Sequence, residues 1–295
     1  MESTQPEYRL VKLANGTHSV HSVAHRETFH PVIGPVAEAE ALYVNQLRLP
    51  ERIAQHRGEF VIWDVGLGAA ANVLTVLRAT RDAKPADAGH RQQLRIVSFD
   101  HTLEPLRFAL EHASSLGYFD AFDGAVRTLL ERHVVTFFDH GREIVWELHL
   151  GDFPTWLASA AVQSVQRPHA ILFDAFSPAK NPAMWTLPLF RNLFGALDPS
   201  RACALPTYSR STLLRVSLML AGFYVGAGHA TGEKEETTIA ANSLDLIHQP
   251  LGADWLRRVR NSTSAEPMHE PVYRQAPLTE ESWTKLNAHP QFAHA

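Results

Sequence analysis

The sequence predicts an α/β fold: a mostly parallel sheet with helices on both faces, an antiparallel edge strand and an N-terminal β-hairpin. Three observations lead there. From Phe60 to about Leu220, apolar strand-like runs alternate with segments of helical period, which is the pattern of a parallel sheet. Four of the runs end in or just before an acid, at Asp64, Asp100, Asp152 and Asp174, each ahead of a turn or helix. Asn15-Gly16 separates two alternating segments, Tyr8 to Leu13 and Thr17 to Val23, and so reads as a hairpin turn.

The elements follow in order. Residues 1–6 read as disordered. After the hairpin comes a loop, His25 to Gly34, and one Ala- and Glu-rich helix from Pro35 to Leu49. Phe60 to Asp64 is a short buried strand, followed by Gly66-Leu-Gly68 and a helix from about Ala70 to Thr80. Arg81 to Arg91 is a polar connector. Ile96 to Asp100 is the second strand, and Leu103 to Ser115 its helix. Residues 118–131 are helical. Val134 to Phe138 and Ile144 to Leu150 are strands joined by Asp139-His-Gly-Arg142. Phe153 to Val165 is a helix, Ala170 to Phe173 a strand, Met184 to Leu197 a helix, Ala202 to Thr207 a strand and Ser211 to Ala221 a helix. Phe223 to Ala227 and Thr237 to Ala241 form a closing hairpin that adds the antiparallel edge strand. Residues 250–295 lack a strong period and read as a short basic helix, Trp255 to Arg260, with an extended tail. Residues 1–50 are thus expected to pack as hairpin and helix on a core of 51–249, with 250–295 as a C-terminal extension.

Composition narrows the function classes. The chain has 295 residues, 45% hydrophobic and 20% charged, as expected of a globular protein. No apolar run is long enough for a bilayer, and MESTQPEYRL has no secretory core, so a cytoplasmic protein with no membrane partner is expected. The single cysteine, Cys203, excludes an intrachain disulfide and a cysteine-rich zinc site. The 17 histidines are scattered without helical pairing, so no metal is expected. A net charge of −4 argues against a uniformly basic coat but leaves room for a local basic face. There is no Walker A sequence and no nucleophile elbow.

The strand ends carry the chemistry. Asp64-Val-Gly-Leu-Gly68 lies on a strand-to-helix turn where glycine admits a ligand close to the backbone and the helix N-terminus favours an anion. A purely structural turn fits equally well. Asp100 sits where an acid commonly holds ribose hydroxyls, with a helix N-cap as the alternative. Gly151-Asp152 offers a hydrogen bond to an adenine amino group, or again an N-cap. Asp174, at the end of a buried strand, either faces reacting groups or caps its own turn. Lys180 and Asn181 lie between two prolines, near Trp185; they suit an anionic or nucleotide substrate, or plain solvent. Trp185 itself reads as core. His30, a lone loop histidine, reads by default as structural or solvent-facing.

Taken together, Phe173-Asp-Ala-Phe-Ser-Pro-Ala-Lys-Asn-Pro-Ala-Met-Trp-Thr186, Glu27-Thr-Phe-His-Pro31, the Asp64–Gly68 turn with Asn72, Val97-Ser-Phe-Asp100, Gly151-Asp152, Ala221-Gly-Phe223 and Gly232-Glu-Lys-Glu-Glu236 resemble the class I S-adenosylmethionine-dependent methyltransferases. More narrowly they resemble the MnmC-type methyltransferase half that acts on 5-aminomethyl-2-thiouridine at the tRNA wobble position. The resemblance covers about residues 15 to 245 and implies a stand-alone methyltransferase with a Rossmann-like sheet. It implies S-adenosylmethionine as cofactor, held by Asp64, Gly66, Gly68, Asp100, Gly151 and Asp152. It implies tRNA as partner, Asp174 as the amine-handling residue, and Phe176, Pro178, Lys180, Asn181 and His30 on the acceptor side. An acceptor amine on another molecule or RNA, or a non-catalytic cofactor- or RNA-binding protein, are the other readings. Ala70 stands where the family has glycine, and its methyl is expected to crowd the methionine end. The 232–236 segment has glutamates at 233 and 235 where the family has arginines.

Overall fold

The computed structural model describes residues 7–83, 92–232 and 235–293. The expectations for residues 1–6 and for most of the 81–91 connector lie outside these. The chain divides into two compact units, Met1–Gly151 with Thr231–Lys234, and Asp152–Ala230 with Glu235–Ala295.

The first unit opens with three antiparallel strands, β1 (Tyr8–Lys12), β2 (His18–Ser22) and β3 (Glu27–Thr28). The expected hairpin is there, and β3 is an addition within the predicted loop. The single helix expected over 35–49 is broken. Helix α1 (Pro35–Ala39) passes into a π-helical turn at Glu40–Asn45, and Arg48 takes a left-handed φ of 49°. A new helix, α2 (Leu49–Gln55), then opens with Pro50 in its first turn. Proline cannot donate back into a preceding turn, so it starts a helix more readily than it continues one.

Next come β4 (Glu59–Val65), α3 (Ala71–Thr80), β5 (Gln93–Asp100), α4 (Glu104–Glu111), α5 (Ala113–Leu116), α6 (Asp123–Arg132), β6 (Val134–Asp139) and β7 (Arg142–Leu150). The larger sheet of this unit runs β4-β5-β7-β6. β4, β5 and β7 are parallel, and β6 returns antiparallel on β7. β4 is buried from Phe60 to Val65, as a strand covered on both faces must be. Trp63 packs edge-on against Phe99 at 5.4 Å. The β6–β7 turn has positive φ at both central residues, His140 (48°) and Gly141 (82°), the geometry that matches strand twist in a two-residue hairpin.

The second unit contains α7 (Phe153–Leu157), β8 (Ala170–Phe173), α8 (Leu187–Gly195), β9 (Ala204–Thr207), α9 (Thr212–Ala221), β10 (Tyr224–Gly228), β11 (Thr237–Ala241), α10 (Ala253–Arg260) and α11 (Glu280–Asn287). Its strands run β10-β11-β9-β8, with β8 parallel to β9. The closing hairpin forms and adds an antiparallel edge to the sheet, as expected. β11 is the antiparallel strand and lies between β9 and β10, while β10 takes the outer place. The connection through α9 carries β10 one slot too far to pair with β9, and the return strand fills the gap.

The C-terminal residues are ordered where a tail was expected. Glu266 accepts hydrogen bonds from the Thr279 N–H (2.8 Å) and the Ser282 hydroxyl (2.8 Å), fixing the start of α11. The Gln291 amide then imitates a strand. Its Oε1 accepts from the Val225 N–H at 2.8 Å, and its Nε2 donates to the Val225 carbonyl at 2.7 Å. This side chain satisfies backbone groups on β10 that an outer strand leaves open. No helix among the described residues is long and apolar enough to cross a membrane.

Candidate active site

In the first unit the site is a turn held by its own acids. β4 ends at Val65, and the chain reverses through Gly66 and Gly68, both at positive φ (94° and 52°). The Gly66 N–H donates to the Phe99 carbonyl at 2.9 Å, which ties the turn to the end of β5. The Gly68 N–H donates to Oδ2 of Asp100 at 2.8 Å. Oδ1 of Asp100 accepts from the N–H groups of His101 (2.7 Å) and Thr102 (3.3 Å). A carboxylate offers about four acceptor positions, so these three bonds leave it little spare capacity. Asp100 therefore shapes the glycine turn.

Gly68 is glycine for a second reason. A Cβ there would lie 3.2 Å from Cε2 of Phe29, so the Phe29 ring rests on the turn. Its backbone is held to the N-terminal sheet, its N–H donating to the Val20 carbonyl at 2.8 Å. The turn is braced once more where the Tyr118 hydroxyl donates to the Ala69 carbonyl at 3.1 Å. Burial drives the Tyr118 pKa up, so it stays a neutral donor.

Ala70 is left-handed at φ 60° and fully buried. The expectation that its methyl crowds a ligand is corrected on that ground: a methyl without exposed surface faces protein. The substitution costs backbone conformation instead. Asp64 is also fully buried, with Oδ2 accepting from the Ser98 hydroxyl at 2.7 Å, and Ser98 accepts in turn from the Trp146 indole at 2.9 Å. It supports the turn from beneath. Gly151 closes the same edge, its N–H donating to the Asp100 carbonyl at 2.9 Å. His30 has only 8% of its side chain exposed and faces Glu38 at 3.6 Å, so it sits in a buried pair.

In the second unit, Asp152 is an N-cap: Oδ2 accepts from the Thr155 N–H at 2.9 Å and from the Thr155 hydroxyl at 2.6 Å. The cap reading is realised. Asp174 follows β8 and is half-buried. Ser177 to Asn181 form a turn in which the Ser177 carbonyl accepts from the N–H groups of Lys180 (2.8 Å) and Asn181 (2.9 Å). That turn holds Pro178 and Lys180 outward, Lys180 exposed. Trp185 is core, as read, but also donates its indole N–H to the Phe176 carbonyl at 2.7 Å. Tyr208, just past β9, donates its hydroxyl to the Ala175 carbonyl at 3.0 Å. Sequence reasoning passed over Phe29, Tyr118 and Tyr208. The signals for Phe29 and Tyr208 were an aromatic in the Glu27–Pro31 segment and an aromatic at the end of a strand.

The Glu236 carboxylate pairs with the buried Arg215 guanidinium at 3.0 Å, and Arg215 also donates to the Thr237 carbonyl at 2.8 Å. Burial pushes the Arg215 pKa down, and Glu236 opposes the shift. The Arg215 charge is thus held inside the protein and not on its surface. Among the described residues no cluster of three histidine, cysteine, aspartate or glutamate side chains could hold a metal.

Residues 125–243 match the sequence profile of a family described as S-adenosyl-L-methionine-dependent methyltransferase. The chain is 29% identical over 235 residues to the tRNA 5-methylaminomethyl-2-thiouridine biosynthesis bifunctional protein MnmC of Aeromonas hydrophila, a match covering 76% of this chain and 34% of that protein. It is 31% identical over 209 residues to the protein of the same name from Burkholderia multivorans, covering 68% and 30%. The chain thus spans about a third of the length of these curated relatives. In structure it is similar to MnmC2 from Aquifex aeolicus, at a TM-score of 0.67 and 23% identity over 97% of this chain and 85% of that one. A spermidine synthase bound to the transition-state analogue AdoDATO superposes at 0.52, with 10% identity over 95% and 84%. The resemblance and the Rossmann-like class I fold read from the sequence are both borne out.

Proposed function

We propose that this chain, a class I S-adenosylmethionine-dependent methyltransferase by sequence and fold, methylates the amine of 5-aminomethyl(-2-thio)uridine at the wobble position of tRNA. The observation that carries the reading is that each unit supplies a feature the reaction needs. One is a glycine turn closed by a strand-end carboxylate, Gly68 on Asp100; the other is the Asp174–Asn181 segment that presents a carboxylate and an exposed lysine beyond β8.

The residues present suit the cofactor. Gly66 and Gly68, at positive φ and without side chains, turn the backbone ahead of α3, and Asp100, with 9% of its side chain exposed, takes the ribose position. Asp152 keeps Oδ1 for the adenine amino group. The cofactor supplies a methyl already activated on a sulfonium. The chain's task is then positioning and proton handling. With the cofactor bound, the acceptor nitrogen would take the methyl as the sulfonium becomes a neutral thioether, and the proton it sheds would go to Asp174. A free alkyl amine is mostly protonated at neutral pH, so the acceptor must be held neutral. Asp174 is the group placed to orient that amine and take its proton. Phe176 and Pro178 wall the acceptor, and Lys180 with Asn181 suits its phosphate. His30, buried against Glu38, acts on the acceptor side only through the loop it anchors.

One observation favours another amine acceptor. Glu235 is exposed and Glu236 is engaged by Arg215, so this segment lacks the positive charge the MnmC-type pattern has there. The deciding experiment supplies labelled S-adenosylmethionine and bulk tRNA carrying the aminomethyl precursor. Label in the wobble nucleoside is expected with the wild-type chain and absent with Asp174→Ala. Cofactor binding without label in any tRNA would move the assignment to the other acceptor.

A further inference from the structure

The backbone that carries Asp174 is held in an unusual way. β8 ends at Phe173, and the next carbonyls, of Ala175 and Phe176, are bonded by aromatic side chains. The Tyr208 hydroxyl donates to the Ala175 carbonyl at 3.0 Å, and the Trp185 indole donates to the Phe176 carbonyl at 2.7 Å. The two donors touch each other edge-on, with ring centroids 6.0 Å apart at 77°. Trp185 is fully buried and anchored in turn on Phe173, edge-on at 5.4 Å. Tyr208 directly follows β9, which pairs parallel to β8 at Ala170 and Ala204, so it stands at the carboxyl end of the neighbouring strand. A parallel ladder fixes Asp174 from one side only, through Phe173. The two aromatics fix it from the other.

We infer that Tyr208 and Trp185 form a clamp that sets the position of the Asp174 carboxylate, with Tyr208 a positioning residue of the transfer step. The inference rests on the function proposed above for Asp174. The clamp geometry itself stands apart from that reading. A reaction whose barrier is governed by alignment is sensitive to small displacements of the group that orients the nucleophile. Loss of one clamp bond should therefore lower kcat and leave cofactor affinity alone.

The test uses the full chain with Tyr208→Phe, which keeps the ring and removes the hydroxyl, and Trp185→Phe, which removes the second donor. Three quantities are read: kcat on precursor tRNA, the Kd for S-adenosylmethionine by calorimetry, and amide hydrogen exchange over residues 174–181. Each variant is expected to lower kcat by about ten- to a hundredfold, to leave the cofactor Kd unchanged and to speed exchange at 174–181 without speeding it across β4 and β5. An unchanged kcat in Tyr208→Phe, or a fall explained by weaker cofactor binding, overturns the inference. Should the wild-type chain methylate no tRNA, the proposed function fails by itself. Exchange then decides alone: faster exchange at 174–181 upholds the clamp, and unchanged exchange overturns it.

Discussion

The turn after β4 and the segment after β8 do the same architectural job by opposite means. Each carries a functional group off the carboxyl end of a parallel strand, where open α/β sheets bind their ligands. The glycine turn is held by a charged residue: Asp100 accepts from the N–H groups of Gly68, His101 and Thr102. The Asp174 segment is held by neutral aromatics, Tyr208 and Trp185, that take no charge from the carboxylate they place. On the proposed function, holding and binding share one residue in the first region. In the second they are divided. Substitutions should therefore separate stability from chemistry in the second region and fail to do so in the first.

The largest effect expected is the loss of turnover in Asp174→Ala. Cofactor Kd and thermal stability should stay near wild type, because the clamp bonds go to carbonyls at 175 and 176 and survive the change. A variant that unfolds, or one that turns over normally, breaks the proposed division of labour. Asp100→Ala should instead damage everything at once. It strips a charged acceptor from three backbone donors, a loss of about 2–3 kcal/mol, and it weakens S-adenosylmethionine binding in the same variant. Chemical denaturation and calorimetry on one preparation measure both. An Asp100→Ala protein of wild-type stability would show that the turn does not lean on that carboxylate.

Ala70→Gly sharpens the first region by a smaller amount. A left-handed alanine costs roughly 1–2 kcal/mol. Glycine returns about 0.5–1 kcal/mol of that through unfolded-state freedom, and removing a buried methyl costs about 0.8 kcal/mol. The terms nearly cancel, so stability should move by less than about 1 kcal/mol. The cofactor Kd should not move either, because Ala70 has no exposed surface. A marked gain in affinity would mean that the methyl does obstruct the ligand.

The strand ends were legible because each is a local pattern, an apolar run closed by an acid or a glycine. The segment from Phe173 to Thr186 was legible for the same reason, its residues being neighbours in sequence. What escaped is non-local or compensated. Tyr208 reaches Ala175 across 33 residues, and nothing around Tyr208 marks the partner. Phe29 rests on Gly68 from an N-terminal loop that reads as irregular. The break at Arg48 hides inside a helical period, because a π-helical turn keeps apolar residues facing inward while shifting their phase. Near the C-terminus, Glu266 gathers the start of α11 and the Gln291 amide stands in for a strand on β10, contacts that no periodicity records.

The smallest effect concerns pH and belongs to the first region. His149 faces Phe99 across the β5–β7 pairing and stacks on it at 5.4 Å and 26°. Burial pushes its pKa below the ordinary 6.5, and Glu147 opposes the shift in part. A histidine kept neutral in the folded chain is protonated more readily in the unfolded one. Its contribution is therefore complete above the unfolded pKa and is lost as pH falls through that value towards the folded one. Melting temperature should decline on acidification below about pH 6.5. His149→Phe keeps the stack and should make the decline shallower. Some slope should remain, since burial also lowers the pKa of His289. Because His149 lies one register step from the Asp100–Leu150 pair, acid should weaken S-adenosylmethionine binding before it speeds amide exchange at 174–181. If both change at the same pH, and equally in His149→Phe, the two regions titrate as one and the contrast between them does not extend to protons.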